Sequence, residues 1–507
     1  MKAHLLYRDR DFERDAASPP NADALLQDLE LPTLLRAMAG GEPFLHEVCQ
    51  GVLLARLDDP GAITYRQAIV ADCLTHAEVI REVYDLTVDT LKESKRVWRG
   101  TLPDSMLYSS VSLLEIFVST LKQLRRITDE HAAGFRSEGL VALFAMLAAE
   151  LDDAYFDEIE DHLARLRFKG GVLVSARLGN GEKGTNFVLR RPEEEPKPGW
   201  LQRLAGRNRP ANVFWIHERD DAGAKALAEL RGRGISLVVN AVYQSADHIL
   251  SFLQMLQTEL AFYLGCVNLH RRLTEKGEPL CFPVPVPAGR WTLRAEGLYD
   301  PCLSLIHDGR VVGNDVDANG RQLVMITGAN QGGKSTFLRS VGLAQLMMQC
   351  GLFVPAGSFE ANICHGVFTH YKREEDATMQ SGKLDEELSR MSDLADMVSS
   401  NAVVLFNESF AATNEREGSE IARQVIRALL EAGIKVVFVT HLYDLAHSLF
   451  LQRAGQALFL RAERGADGHR TFRLIEGEPL PTSFGEDVYR RVFGATPEAV
   501  PTRSSGR

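Results

Sequence analysis

Four residues within Thr327–Thr336 (TGANQGGKST) have the types and spacing to hold phosphate. Gly328, Gly333, Lys334 and Ser335 fit the pattern G-x-x-x-x-G-K-[ST]. The stretch ends an apolar run (Leu323, Val324, Met325, Ile326) and opens a helical pattern (Phe337, Leu338, Val341, Leu343, Ala344), the strand–loop–helix setting that this spacing needs. Glycines let the backbone curl until successive N–H groups point at phosphate oxygens, and the helix N-terminus adds partial positive charge. The expected cradle is Gly328, Ala329, Asn330, Gln331, Gly332, Gly333, Lys334, Ser335 and Thr336. Lys334 would reach the β- and γ-phosphates of a nucleoside triphosphate as a point charge, and the Ser335 hydroxyl would ligate Mg²⁺. ATP and Mg²⁺ are the cofactors this chemistry implies.

Triphosphate hydrolysis also needs groups that handle water and metal. Ala402–Phe406 is an apolar run ending at Asn407-Glu408. Glu408 is placed to orient or deprotonate water. Asn407 stands where a metal-linked aspartate is expected; its amide is a neutral oxygen ligand, so weaker Mg²⁺ binding and slower turnover are expected. A third strand, Lys435–Val439, ends at Thr440-His441, where His441 could sense a γ-phosphate. The expected catalytic set is Lys334, Glu408 and His441, and the expected metal set is Ser335 and Asn407. Ser381-Gly382 precedes a helical stripe of Leu384, Leu388, Met391, Leu394, Ala395 and Val398. That pair could present N–H groups to a phosphate or serve as an ordinary N-cap; the spacing leaves both open.

These strands and loops need a scaffold of matching size. The chain has 507 residues, 45% apolar and 25% charged, which implies several domains of ordinary globular composition. Its net charge of −11 excludes a surface that grips nucleic acid everywhere, so any such contact must come from a local basic patch. Seven scattered cysteines with no C-x-x-C pair point to reduced thiols in a cytosolic setting. Cys364, His365 and His370 cluster, but they read as a strand with incidental histidines rather than a metal site. The N-terminus has no apolar core of signal-peptide length, and no uncharged apolar run reaches 18 residues, so no membrane contact is expected.

Taken in order, residues 1–22 read as a mobile lead-in. Residues 23–168 read as a helical domain, with long helices near Met106–Ile127 and Leu140–Leu166. Within 169–234, Val172–Leu178 and Thr185–Arg190 read as a hairpin, followed by a Pro- and Arg-containing loop at Pro192–Pro210. Between residues 161 and 210, eleven Lys/Arg face five acids. Arg190, Arg191, Lys197, Arg203, Arg207 and Arg209 are the candidate phosphate-backbone contacts, and a solvated loop is the plain alternative. A helix returns over 235–290. Short strands at Leu293–Leu298 and Leu303–Ile306 then lead into alternating strands and helices over 291–495, the pattern of a mainly parallel α/β sheet, with a tail at 496–507.

With these residues in view, the C-terminal half resembles the ATPase domain of the MutS family, of the ABC type. The resemblance runs in order through TGANQGGKST, Gly351–Ala356 (GLFVPA), the Ser381-Gly382 loop, VVLFNES, TNEREG at Thr413–Gly418, VTH ending at His441, and Thr482-Ser483-Phe484-Gly485. It covers about residues 235–493, and the helices from 22 to 166 are similar to the family's core and lever helices. The resemblance implies an α-helical core and lever followed by an α/β ABC-type P-loop ATPase, with a small β-hairpin insert. It also implies a homodimer whose composite ATP sites pair one subunit's phosphate loop with the other's Ser381 loop, and double-stranded or branched DNA as partner. Lys334, Ser335, Thr336, Glu408 and His441 take over the family's roles.

The departures are specific. No mismatch-reading domain is expected ahead of the helices, and its Phe-x-Glu tripeptide occurs only as chance matches at Phe156-Asp157-Glu158 and Phe484-Gly485-Glu486. The clamp region is replaced by 169–210, the phosphate-contacting serine after Gly382 is lost to Leu384 or shifted, and Asn407 replaces an aspartate. About fourteen residues follow Phe493, so no helix-turn-helix or nuclease module is expected there. The implied activity is a DNA-binding ATPase of the MutS type reading backbone and shape. The rivals are a nucleotide-switched scaffold for protein partners and a DNA-independent ATPase.

Overall fold

The computed structural model describes residues 1–15, 17–97, 103–168, 171–178, 184–190, 221–373, 382–452, 457–465 and 470–481. The chain divides into two compact units. One comprises residues 1–3, 78–135 and 140–258, and the other residues 4–77, 136–139 and 259–507.

The first unit is helical with one hairpin. Its helices lie within Ala77–Ser94, Pro103–His131, Glu138–Glu150, Asp153–Leu166 and the first part of Asp221–Glu275. The stripe Leu113, Leu114, Phe117, Leu121 and Leu124 is buried, as its spacing requires. The single helical stretch expected over Leu140–Leu166 is instead two helices. Asp152 caps the second by accepting from the Tyr155 N–H at 2.8 Å, a local stop-and-restart signal hidden inside a continuous apolar period. Strands β1 (Leu173–Leu178) and β2 (Gly184–Arg190) pair antiparallel as expected. The hairpin approaches the long helix so closely that a Cβ on Gly234 would lie 2.6 Å from the Val174 side chain.

One 18-residue window of helix Asp221–Glu275 is long and apolar enough to cross a membrane. Most of that window is buried inside the protein, which is the ordinary signature of a core helix. The sequence test missed it because scattered charges interrupt the run.

The second unit carries the sheets and also takes the first four helices, α1 (Ala22–Asp28), α2 (Leu31–Ala39), α3 (Pro43–Leu54) and α4 (Pro60–Thr75). These helices were expected within a helical domain at 23–168; periodicity marks a buried face without saying what buries it. Nor are residues 1–22 a free lead-in. Leu5 and Leu6 are buried, the Tyr263 hydroxyl donates to the Leu5 carbonyl, and Tyr65 donates to that of His4. The wholly buried Arg66 donates to the carbonyls of Leu6 and Cys350.

A four-stranded sheet runs β3 (Val284–Val286), β7 (Ser358–Asn362), β4 (Leu293–Leu298), β5 (Asn314–Asp317). Residues Leu303–Ile306, expected as a strand, belong to helix Pro301–Ile306. Pro301 opens that helix, and the Asp300 carboxylate accepts from the Cys302 and Leu303 N–H groups.

The larger sheet has the order β12-β11-β6-β10-β9-β8. Its strands are β6 (Leu323–Thr327), β8 (Val367–Tyr371), β9 (Val403–Asn407), β10 (Lys435–Val439), β11 (Ala457–Arg464) and β12 (Arg470–Glu476). All pairings are parallel except β11 with β12. The runs LVMIT, VVLFN and KVVFV are apolar throughout because both faces of a parallel sheet are covered. One face buries Phe406, Phe410, Phe438 and Ile426 in a core cluster. The fold is thus helical plus α/β.

Candidate functional site

Parallel pairing brings the sequence candidates to one edge of the sheet. Leu460, Ile326, Val439, Asn407 and Tyr371 occupy one register row across β11, β6, β10, β9 and β8. The residues just beyond that row are therefore neighbours at the carboxyl ends of the strands, where ligands bind in α/β sheets. They lead into the loop Gly328–Gly333, into Glu408 and into His441.

The loop between β6 and helix Lys334–Gln349 has the curl that the sequence implies. Gly328 (φ 114°), Gln331 (φ 59°) and Gly333 (φ 89°) all lie in the left-handed region. A Cβ at Gly328 would sit 2.8 Å from the Ala462 nitrogen, so glycine is required there on two counts. Lys334 is buried, its ammonium donating to the carbonyls of Gly328 (2.9 Å) and Ala329 (3.1 Å) and lying 4.0 Å from Glu408. Burial pushes its pKa down, and Glu408 pulls it back up.

Glu408 adopts φ 56°, an uncommon conformation for a residue with a side chain. Its N–H donates to the Val439 carbonyl at 2.9 Å, and its carboxylate accepts from the His441 N–H at 3.1 Å. His441 Nε2 lies 3.1 Å from the same carboxylate. Burial raises the Glu408 pKa, opposed by the Lys334 charge. Burial, with Lys334 and Lys372, lowers that of His441 to about 4, so the imidazole is neutral at physiological pH. A carboxylate of raised basicity and a neutral imidazole can hold and pass a proton of water.

Ser335 donates its hydroxyl hydrogen to the Asn407 side-chain oxygen at 2.8 Å. This pair suits a hard divalent cation such as Mg²⁺, since both are oxygen donors facing the loop. Neither brings negative charge, so phosphate oxygens and water must supply the remaining ligands.

Of the other candidates, Gly382 precedes helix Lys383–Met397 in extended conformation, with no side-chain cap hydrogen bond. Ser381 and Phe484-Gly485-Glu486 lie outside the described residues. Arg190 ends β2, exposed, and donates to Ser175 at 2.9 Å; Arg191, Lys197, Arg203, Arg207 and Arg209 lie outside the described residues. No cluster of three or more His, Cys, Asp or Glu suited to a metal occurs among the described residues. His370 is buried between Ser409 and the Glu387 carbonyl, and Cys364 is buried against Gln349.

Two features of the site escaped the sequence reading. A cavity of about 350 Å³ abuts the loop, lined by Tyr299, Val312, Asn314 and Phe472 and reaching Gln331 and Gly333. Asn314 is fixed there by donating to the Phe472 carbonyl and accepting from the Leu474 N–H. Arg470, from β12, donates to Gln331 at 3.1 Å. Both arise from residues more than a hundred positions apart, and no local spacing signals such a meeting.

The edge defined here belongs to the α/β sheets that present a glycine loop and a helix N-terminus beside acidic and imidazole side chains. Among protein families, the model described as the MutS2 N-terminal domain matches residues 58–276, and the model for MutS domain V matches residues 324–504. The chain belongs to the MutS family. It is 27% identical over 241 residues to a DNA mismatch repair protein MutS of Roseiflexus castenholzii, covering 42% of this chain and 22% of that protein. It is 29% identical over 255 residues to the MutS of Protochlamydia amoebophila, covering 48% of this chain and 29% of that protein. It is 33% identical over 187 residues to an endonuclease MutS2 of Lacticaseibacillus casei, covering 36% of this chain and 23% of that protein. The chain thus spans less than a third of the length of each of these relatives.

Proposed function

We propose that this chain is an ATP- and Mg²⁺-dependent ATPase of the MutS type that binds DNA through backbone and shape. The observation that carries the reading is the convergence of Lys334, Ser335, Asn407, Glu408 and His441 at one sheet edge around a glycine loop. Lys334 and the loop N–H groups hold the β- and γ-phosphates, and the apolar cavity beside Phe472 receives the nucleoside. Glu408 takes a proton from the attacking water, with His441 fixing the carboxylate through its backbone N–H. Bound Mg²⁺ would neutralise phosphate charge beside Ser335 and Asn407.

The partner reading rests on family membership together with the local excess of cations at 161–210 in a chain of net charge −11. The names of the relatives, mismatch repair MutS and endonuclease MutS2, make double-stranded or branched DNA the partner to test. A homodimer with composite ATP sites at Ser381-Gly382 follows from the same family reading. Asn407 favours a second reading, a nucleotide-switched scaffold with little hydrolysis.

The test is steady-state ATP hydrolysis alone and with linear, mismatched and branched DNA, with Lys334→Ala as the blank. A Lys334-dependent rate raised by DNA supports the leading reading. Nucleotide binding without turnover moves the assignment to the scaffold. Absence of Lys334-dependent binding removes the nucleotide site altogether.

A further inference from the structure

The register row that assembles the site has one more member. Thr327 leads from β6 into the glycine loop, Thr440 leads from β10 to His441, and Glu408 follows Asn407 on β9. By the same alignment Lys372 follows Tyr371 on β8, since Tyr371 pairs with Asn407. The Lys372 N–H donates to the Asn407 carbonyl at 2.9 Å, which pins its backbone beside Glu408. Neighbouring strands lie about 4.8 Å apart, so the Lys372 Cα is one strand from Glu408 and two from His441, within reach of a lysine side chain. Lys372 is exposed, and among the described residues its ammonium has no hydrogen-bonded or ion-paired partner. Its charge is nevertheless felt at the Glu408 carboxylate and at the His441 imidazole, both of whose pKa values it lowers.

At the end of β8 the neighbouring cations are already engaged, Arg373 by the Asp28 carboxylate and Arg390 by the Tyr371 carbonyl, which leaves Lys372, among the described residues, as the cation free to face the site. Lys334 approaches the phosphates from β6, and Asn407 replaces an ionised metal partner with a neutral amide, so the cation site draws its negative charge from the nucleotide itself. A terminal phosphate held against Glu408 would meet a carboxylate unless a second cation stands on the far side. We propose that Lys372 is that cation: its ammonium binds the terminal phosphate of a bound nucleoside triphosphate and so makes the site discriminate triphosphate from diphosphate. The inference rests on the nucleotide-binding reading and adds to it a specificity residue outside the glycine loop. An exposed lysine with no role predicts equal treatment of both nucleotides.

The test is calorimetric binding of ADP and of the non-hydrolysable β,γ-imido analogue of ATP, each with Mg²⁺, to the full chain. Lys372→Gln is expected to weaken the triphosphate analogue about tenfold while leaving ADP unchanged, the size expected for losing one charge-assisted contact. Lys372→Arg, which keeps the charge, is expected to retain most of the preference. Because Lys372 is exposed, neither variant removes core packing, and an unchanged ADP affinity doubles as evidence of an intact site. Equal affinities of wild type and Lys372→Gln for the triphosphate analogue, or an equal loss for both nucleotides, would overturn the proposal while leaving the nucleotide site standing. Failure of the wild-type chain to bind either nucleotide would overturn the nucleotide reading itself.

Discussion

The Ser335 hydroxyl points its hydrogen at the Asn407 amide oxygen, 2.8 Å away, across the gap between the glycine-loop helix and strand β9. An aspartate at 407 would accept the same hydrogen bond with a charge. A carboxylate also brings the negative charge that the amide lacks, and the affinity of an oxygen-ligand site for a divalent cation rises with its ligand charge. Asn407→Asp is therefore expected to lower the Mg²⁺ concentration needed for half-maximal hydrolysis about tenfold and to raise turnover. A Mg²⁺ titration of the ATPase rate reads both. A rate and midpoint unmoved by the substitution would show that the amide is not what limits the site.

Glu408 (φ 56°) and Phe410 (φ 62°) both adopt left-handed backbone in the turn that follows β9. Gly418, on helix Glu415–Glu431, packs directly against that turn. A Cβ there would lie 2.2 Å from the Phe410 carbonyl oxygen, which is backbone and cannot swing aside. Gly418→Ala is expected to destabilise the fold by about 1–3 kcal/mol, the usual cost of overpacking. It should also depress turnover by displacing Glu408. Urea unfolding and the ATPase rate measure the two effects. Full activity in Gly418→Ala would mean that Glu408 tolerates a shifted turn.

How much of this could be read from the chain depends on distance in sequence. The placement of Lys334 and Ser335 after a glycine loop was legible because such a turn is a local object: its spacing, strand and helix lie within residues 323–349. The meeting of Asn407, Glu408 and His441 at one edge was legible because parallel strands of similar length end together, so a polar residue after an apolar run has a known address. The cavity between Asn314 and Phe472 was not, since it forms only when β12 folds back on β5. The helix Pro301–Ile306 was misread as a strand because a six-residue helix shows too little period, although Asp300-Pro301 was the stronger signal. Arg66, wholly buried with only carbonyl acceptors, runs against the rule that places arginine outside, and no pattern announces it.

Asp300 does two jobs beside the cavity: it caps helix Pro301–Ile306 and pairs with Arg339 on the glycine-loop helix. Its side chain is fully buried, and Arg339 also meets the more exposed Glu30. Burial pushes the Asp300 pKa up, but Arg339 and the helix N–H groups pull it back and favour the anion. Asp300→Ala would leave the Arg339 charge short of its buried partner and lose the cap, a combination expected to cost about 3–5 kcal/mol. The urea midpoint should fall accordingly. Glu30→Ala, removing only the exposed partner, should cost under about 1 kcal/mol. Equal losses from the two substitutions would refute the assignment of Asp300 as the dominant partner.

His370 gives the pH dependence a definite sign. It is buried against Phe406 and Phe410, and burial, with the Arg390 and Arg373 charges, lowers its pKa to about 4; the hydrogen bond to the Glu387 carbonyl opposes this. Above about pH 6.5 the ring is neutral in both folded and unfolded chains, and its contribution does not vary. Between 6.5 and 4 the unfolded chain binds a proton that the folded chain refuses, so stability falls as pH falls; below 4 the loss levels off. The total is on the order of 3 kcal/mol. Glu259 has the opposite slope. Burial raises its pKa to about 7, so the folded chain holds a proton that the unfolded chain releases above 4.5, and stability falls as pH rises toward 7. The two terms partly cancel in the wild-type curve, so the measurement is a difference between variants. His370→Asn removes the first term alone, and the gap between wild type and variant in urea stability should narrow or reverse steadily from pH 6.5 to pH 4. A gap that stays constant across that range would show that His370 does not titrate differently in the folded and unfolded chains.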